Sequence, residues 1–246
     1  MVCIVTLSNV NVYIDNNTIL ENINLTLGPS GLYGLLGPNG SGKTTLLRTI
    51  AGILSYEGRI VICGKEPREA RNIIAYVPSL PQVDPWARVI DTLLASRYGL
   101  SKGIIWSRKD LEAINNAAKI TGIYRFLYRK FGELSSGEQR LVCIARALAR
   151  EPRVILLDEP LAFLDVYNQY KILDLLLRIS KKSTIIMSIH DLNYIHLFKT
   201  ITILSKGRTV YNGPPSEVTK ELLEKIYNIK LIEASLGSKR IYMPSL

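Results

Sequence analysis

The run Gly37-Pro38-Asn39-Gly40-Ser41-Gly42-Lys43-Thr44-Thr45 satisfies the pattern G-x-x-x-x-G-K-[ST] in full. Its glycines let backbone N–H groups turn inward around phosphate oxygens. A helix starting near Lys43 points its positive end at the same anion. Lys43 is placed to reach the β- and γ-phosphates, and the Thr44 hydroxyl to coordinate Mg²⁺. The mechanism requires a strand before this loop and a helix after it. Residues 31–36 are a short apolar run bounded by Gly and Pro, and residues 44–51 carry a helical pattern closed by Gly52. Both are where they must be, so the loop implies binding of a nucleoside triphosphate, ATP.

Outward from the loop, residues 4–7, 10–14 and 23–27 read as β segments separated by Asn and Asp turns. Two more strands are predicted at 59–63 and 73–77. Residues 78–85 hold three prolines and form an irregular loop. From 89 to 128 the pattern is helical, with apolar stripes through Val89, Leu93, Leu94, Ile114, Ala118 and Ile120. Strand and helix then alternate: strand 154–157, helix 167–179, strand 184–189, a short helix from Asp191, strand 201–204. Such a rhythm predicts an α/β fold, a P-loop NTPase core whose mainly parallel sheet is flanked by helices on both faces. Antiparallel β segments lie at its N-terminus. The predicted division is a core of residues 1–82 and 150–246 with an inserted helical subdomain of about 83–149.

The 246 residues suit such a core with one inserted lobe. No apolar run approaches the ~18 residues of a membrane helix, and the start MVCIVTLSNV lacks the features of a signal peptide. The chain is expected in the cytoplasm. Cys3, Cys63 and Cys143 are far apart with no CxxC spacing, which predicts buried free thiols with neither disulfide nor zinc. The net charge of +10 is spread along the chain without an aromatic-interleaved basic stripe, so no nucleic-acid partner is expected.

A second chemical end is predicted where residues 154–157 run into Asp158-Glu159-Pro160. Carboxylates at the carboxyl end of a parallel strand border the default ligand crevice. Asp158 suits Mg²⁺, directly or through water, and Glu159 suits the attacking water as a base. His190 follows another strand and reaches the same edge, where it could bond the γ-phosphate. The segment Leu134-Ser135-Ser136-Gly137-Glu138 precedes an amphipathic helix, which makes a second anion-binding helix end.

These motifs together resemble the ATPase subunits of ABC transporters, in the family's order and over almost the whole chain: the phosphate loop, LSSGE at 134–138, VILLDEP at 154–160, Leu164-Asp165 and His190. The resemblance implies a head-to-tail homodimer. In it Ser135 and Gly137 of one copy close on ATP held by Lys43 of the other, with Asp165 alongside. It further implies Tyr13 as the ring stacked on adenine, although a routine strand aromatic fits as well among thirteen tyrosines. Permease subunits in the membrane, an extracytoplasmic substrate-binding protein acting indirectly, and a peripheral place on the cytoplasmic membrane face are implied too. HDLN at 190–193 and the tail from Gly207 to Tyr227 resemble the importer branch for iron–siderophore, haem and cobalamin. Two positions depart from the family. Ser136 replaces a glycine, and Ser79 stands where a glutamine that contacts nucleotide and metal is usual. Gln82, three residues on, is the expected substitute.

Overall fold

A computed structural model describes residues 3–100, 106–237 and 239–245. The two β segments expected first are one strand, β1 (Val5–Ile14), paired antiparallel with β2 (Asn17–Leu27). The register shifts between Leu7 and Val10, so Val5, Leu7, Val10 and Val12 are all buried despite the three-residue step in their spacing. Asn9, at φ 51°, takes up the irregularity in the left-handed region that asparagine tolerates. The apolar run before the phosphate loop is β3 (Gly31–Leu36), and the helix after it is α1 (Lys43–Ile50). β4 (Glu57–Ile62) joins the hairpin in a three-stranded sheet ordered β2-β1-β4.

β5 (Ile74–Val77) leads into a helical stretch. There α2 (Val89–Arg97), α3 (Arg108–Thr121) and α4 (Ser136–Leu148) pack on one another before the chain returns at β6 (Val154–Leu157). Residues 101–105 of the expected helical pattern lie outside the described residues. Residues 124–126, also within it, form a single 3₁₀ turn. α5 (Val166–Ser180), β7 (Thr184–Ser188), β8 (Thr200–Ser205) and β9 (Arg208–Gly213) follow. The main sheet runs β5-β6-β7-β3-β8-β9, parallel throughout except for β9 at one edge. Its inner strands read as unbroken apolar runs because helices cover both faces. The chain ends with α6 (Lys220–Tyr227) and a hairpin of β10 (Leu231–Leu236) and β11 (Lys239–Pro244).

One apolar cluster is continuous from the sheet into the inserted helices, joining Leu36, Val77 and Leu157 to Leu93, Ile114 and Leu141. The other lies under the three-stranded sheet, where Leu46, Leu47 and Ile50 of α1 meet Val5, Leu20 and Ile62. The phosphate-loop helix is thereby clamped by apolar packing, which keeps its N-terminus fixed.

The cysteine expectation is overturned. Cys3 and Cys63 form a disulfide with Cα atoms 4.3 Å apart, and Cys143 alone is free and buried. The strand register explains it: Val5 pairs with Ile62, and the Cys63 N–H donates to Ile4 O, so the two thiols meet at the end of a ladder. Their separation of 60 positions hid this in the sequence. Burial pushes the Cys143 thiol pKa up, which disfavours its reactive thiolate. Alkylation of the unfolded protein should therefore modify one cysteine without reductant and three with it, read by mass spectrometry.

Candidate active site

Glycine is required at both ends of the phosphate loop. Gly37 has φ 141°, and a Cβ there would lie 2.2 Å from Leu204 O of β8 and 2.6 Å from Ser41 Oγ. Gly42 has φ 103°, and its Cβ would lie 2.5 Å from Leu20 Cδ2 of β2. Both sheets therefore press on the loop and set its path. Gly42 is also the N-cap of α1, and no side chain caps that end. The first-turn N–H groups of such a helix are suited to an anion. Ser41 Oγ is buried without a hydrogen-bond partner, a further polar group fit for a phosphate oxygen.

Lys43 is only 5% exposed, and its ammonium donates to Gly37 O at 2.7 Å and Pro38 O at 3.0 Å. Burial pushes its pKa down, while Glu159 and then Asp158 oppose that shift. Asp158, at the end of β6, is the hub of the other side. Its Oδ1 accepts from Thr44 Oγ1 at 3.1 Å and from Ser188 Oγ at 2.9 Å, and its Oδ2 accepts from the Tyr76 hydroxyl at 3.4 Å. A carboxylate and a hydroxyl this close make the hard oxygen pair that Mg²⁺ prefers, so these residues fit that ion.

Glu159 adopts φ 45°, a backbone that typically costs about 1–3 kcal/mol for a non-glycine residue. Its N–H donates to Ser188 Oγ at 2.8 Å, which holds that turn. Its carboxylate lies 2.7 Å from His190 Nε2. The meeting follows from topology: Leu157 pairs with Met187 in parallel strands, so both chains leave the sheet at one edge. Glu159, Phe163, Ser188, His190, Asp191 and Tyr194 border a cavity of ≈ 200 Å³.

The signature segment lies at the N-terminus of α4. Ser135 Oγ accepts from the Glu138 N–H, and the Glu138 carboxylate accepts from the Ser135 N–H, a reciprocal capping box. At Gly137 a Cβ would lie 2.5 Å from Asn168 of α5. Asn168 in turn donates its N–H and its amide to Asp165, the N-cap of α5, and this holds the Asp165 carboxyl below the usual range. Ser135, Gly137 and Asp165 thus form one group. No hydrogen bond links that group to the phosphate loop among the described residues.

Two expected residues stay apart. Tyr13 is 50% exposed near the tip of the β1–β2 hairpin, one position beyond Val12, whose partner Leu20 packs on Gly42. Gln82 is exposed, and its carbonyl accepts from Arg146 of α4 at 3.0 Å. Buried Arg140 holds the same loop, donating to Pro78 O and Ser79 O. Among the described residues no hydrogen bond joins the Gln82 side chain to Asp158 or the phosphate loop. The prediction is nevertheless that Gln82→Ala lowers Mg²⁺-dependent turnover more than Ser79→Ala does. Equal rates for the two variants would refute it.

Sequence reading missed Ser188, Tyr76, Asn168 and Tyr227. Ser188 could have been found as a lone hydroxyl ending an apolar strand. Tyr227 could not: its hydroxyl accepts from the Gly37 N–H at 3.1 Å across 190 positions of chain.

A phosphate loop on β3, with an acidic pair ending β6 beside it, defines a P-loop nucleoside triphosphatase. Within that class, residues 20–162, more than half of the chain, match the family model described as ABC transporter, and the chain belongs to that family. Its activity is the family's, ATP binding and hydrolysis. It is 34% identical over 234 residues to the manganese transport system ATP-binding protein MntB of Halalkalibacterium halodurans, covering 91% of this chain and 92% of that one. It is 31% identical to the petrobactin import ATP-binding protein FpuC of Bacillus anthracis, over 90% of this chain and 85% of the relative. Among solved structures, a transporter assigned to the metal-chelate type, in an inward-facing conformation, superposes with TM-score 0.88 at 25% identity. That match covers 100% of this chain and 98% of the other.

Proposed function

We propose that this chain is the motor of a membrane importer whose cargo is a metal ion or metal chelate, working as a head-to-tail pair with ATP between the copies. One observation carries the reading: the phosphate loop at Lys43 and the signature segment at Ser135 lie at two separate helix ends that share no hydrogen bond among the described residues. Each is half of a site in the paired arrangement. The core of residues 1–82 and 150–246 brings Gly37, Pro38, Asn39, Gly40, Ser41, Gly42, Lys43, Thr44 and Thr45 around the phosphates. The helical subdomain of about 83–149 brings Ser135 and Gly137 of the partner copy, with Asp165 beside them.

In hydrolysis Lys43 balances charge on the β- and γ-phosphates; Thr44 and Asp158, with Gln82, would hold Mg²⁺, which would screen the same charge. Glu159 takes a proton from the attacking water, and His190 keeps that carboxylate aimed and bonds the γ-phosphate. Tyr13 supports the adenine face. Loss of the γ-phosphate bridge then releases the pair, and the release moves permease subunits.

A cavity of ≈ 560 Å³ lined by Ile53, Arg71 and Tyr76 on one side and Ser96, Arg146 and Arg150 on the other suits a permease segment. Among the described residues no helix is long and apolar enough to cross a membrane, so contact with the cytoplasmic membrane face falls to that permease. An extracytoplasmic substrate-binding protein would act only indirectly. Metal cargo is supported by the relatives named for manganese and petrobactin.

Affinity purification from detergent-solubilised membranes tests this. Recovery of a polytopic membrane protein is expected. ATPase stimulated by DNA or RNA, with no membrane protein recovered, would overturn it.

A further inference from the structure

We propose that the C-terminal segment from α6 through β11 positions both ends of the hydrolytic site, through Tyr227 at the phosphate loop and Asn193 at the histidine loop. The proposal rests on the nucleotide-site reading above and gives a role to two residues to which that reading assigns none.

At the first end, Gly37 is buried, and both of its peptide groups are held. Its carbonyl accepts from the Lys43 ammonium, and its N–H donates to the Tyr227 hydroxyl at 3.1 Å. Lys43 must turn toward phosphates to do its work, and the carbonyl then loses that partner. The contact with Tyr227 does not depend on Lys43, so it is the one that keeps the first peptide of the loop in place. Tyr227 is itself fixed, because Leu223 of α6 is fully buried and Leu222, Ile226 and Tyr227 pack on the main apolar cluster.

At the second end, Glu224 Oε1 accepts from the Leu231 N–H at 2.8 Å and directs the chain into β10. The hairpin returns through β11, where the Tyr242 N–H donates to Asn193 Oδ1 at 2.9 Å. Tyr242 is buried, and Arg240 ties the same strand to the Val218 and Ser216 carbonyls. The Asn193 N–H donates to Asp191 Oδ1 at 2.9 Å. Asn193 is therefore pinned by both backbone and side chain three residues after His190. A histidine that must stay 2.7 Å from Glu159 gains from such a fixed neighbour. One C-terminal unit, remote in sequence from the phosphate loop and the acidic pair, touches the binding end and the proton-transfer end separately.

The two contacts predict opposite kinetic signatures in the full-length protein. Tyr227→Phe keeps the ring and removes the acceptor, leaving a buried N–H unpaired; KM for Mg-ATP should rise about tenfold with kcat nearly unchanged. Asn193→Ala frees the histidine loop; kcat should fall about five- to tenfold with KM nearly unchanged. Both variants should unfold within a few degrees of the wild type. The proposal is overturned if Tyr227→Phe has the wild-type KM, or if each variant lowers kcat, affinity and unfolding temperature together, as a packing defect would. A wild-type chain that failed to bind ATP would instead overturn the site reading beneath it.

Discussion

Glu159→Gln should bind ATP, hydrolyse it about 10²–10⁴-fold more slowly than the wild type, and accumulate as an ATP-bound dimer. The substitution is nearly isosteric. The backbone N–H still donates to Ser188 Oγ, so the turn at φ 45° survives, and the amide can still bond His190. What disappears is the proton acceptor for the attacking water. With the γ-phosphate intact, the two half-sites stay closed on it. Size-exclusion chromatography with ATP and a single-turnover ATPase assay read both effects. A variant that stays monomeric in saturating ATP would sink the paired motor, and one that hydrolyses at the wild-type rate would sink Glu159 as the base.

The phosphate loop and the acidic pair were legible because each is contiguous in sequence and sits where a strand must end. Parallel strands have a fixed polarity, so His190 could be carried to the same edge from β7 without coordinates. Contacts that close across the chain left no such trace. The disulfide joins residues sixty positions apart at the end of a ladder whose register includes a shift, and alternation alone does not reveal such a shift. Asp158 looked like a metal ligand on a bare strand end, yet its environment of Thr44, Ser188 and Tyr76 comes from three separate segments. The tail was readable only as a resemblance. The apolar face of α6 marks a helix but not what it packs against, and Tyr227 and Asn193 take their positions from tertiary packing.

Lys43→Ala should abolish measurable ATP binding while leaving the protein folded. The charge-assisted hydrogen bonds that Lys43 can give to phosphate are typically worth about 1.5–3 kcal/mol each. Losing two of them would weaken binding by roughly 10²–10⁴-fold. The folded state loses less, because two effects oppose each other. The ammonium gives up its bonds to the Gly37 and Pro38 carbonyls. The substitution also removes a buried charge whose pKa burial has pushed down. The sign follows from linkage. Above the lowered native pKa, and below the ordinary lysine range, the native state holds fewer protons than the unfolded one, so wild-type stability rises with pH across that window. Lys43→Ala should lose that slope. Its unfolding temperature near neutral pH should stay within a few degrees of the wild type or exceed it. ATP binding by the wild type should in turn fall at a lower pH than an ordinary lysine would dictate, since neutral Lys43 cannot balance phosphate charge. Equilibrium dialysis and thermal melts across alkaline pH separate the two effects, and a variant that unfolds outright would mean the loop, rather than the ligand, is what Lys43 chiefly holds.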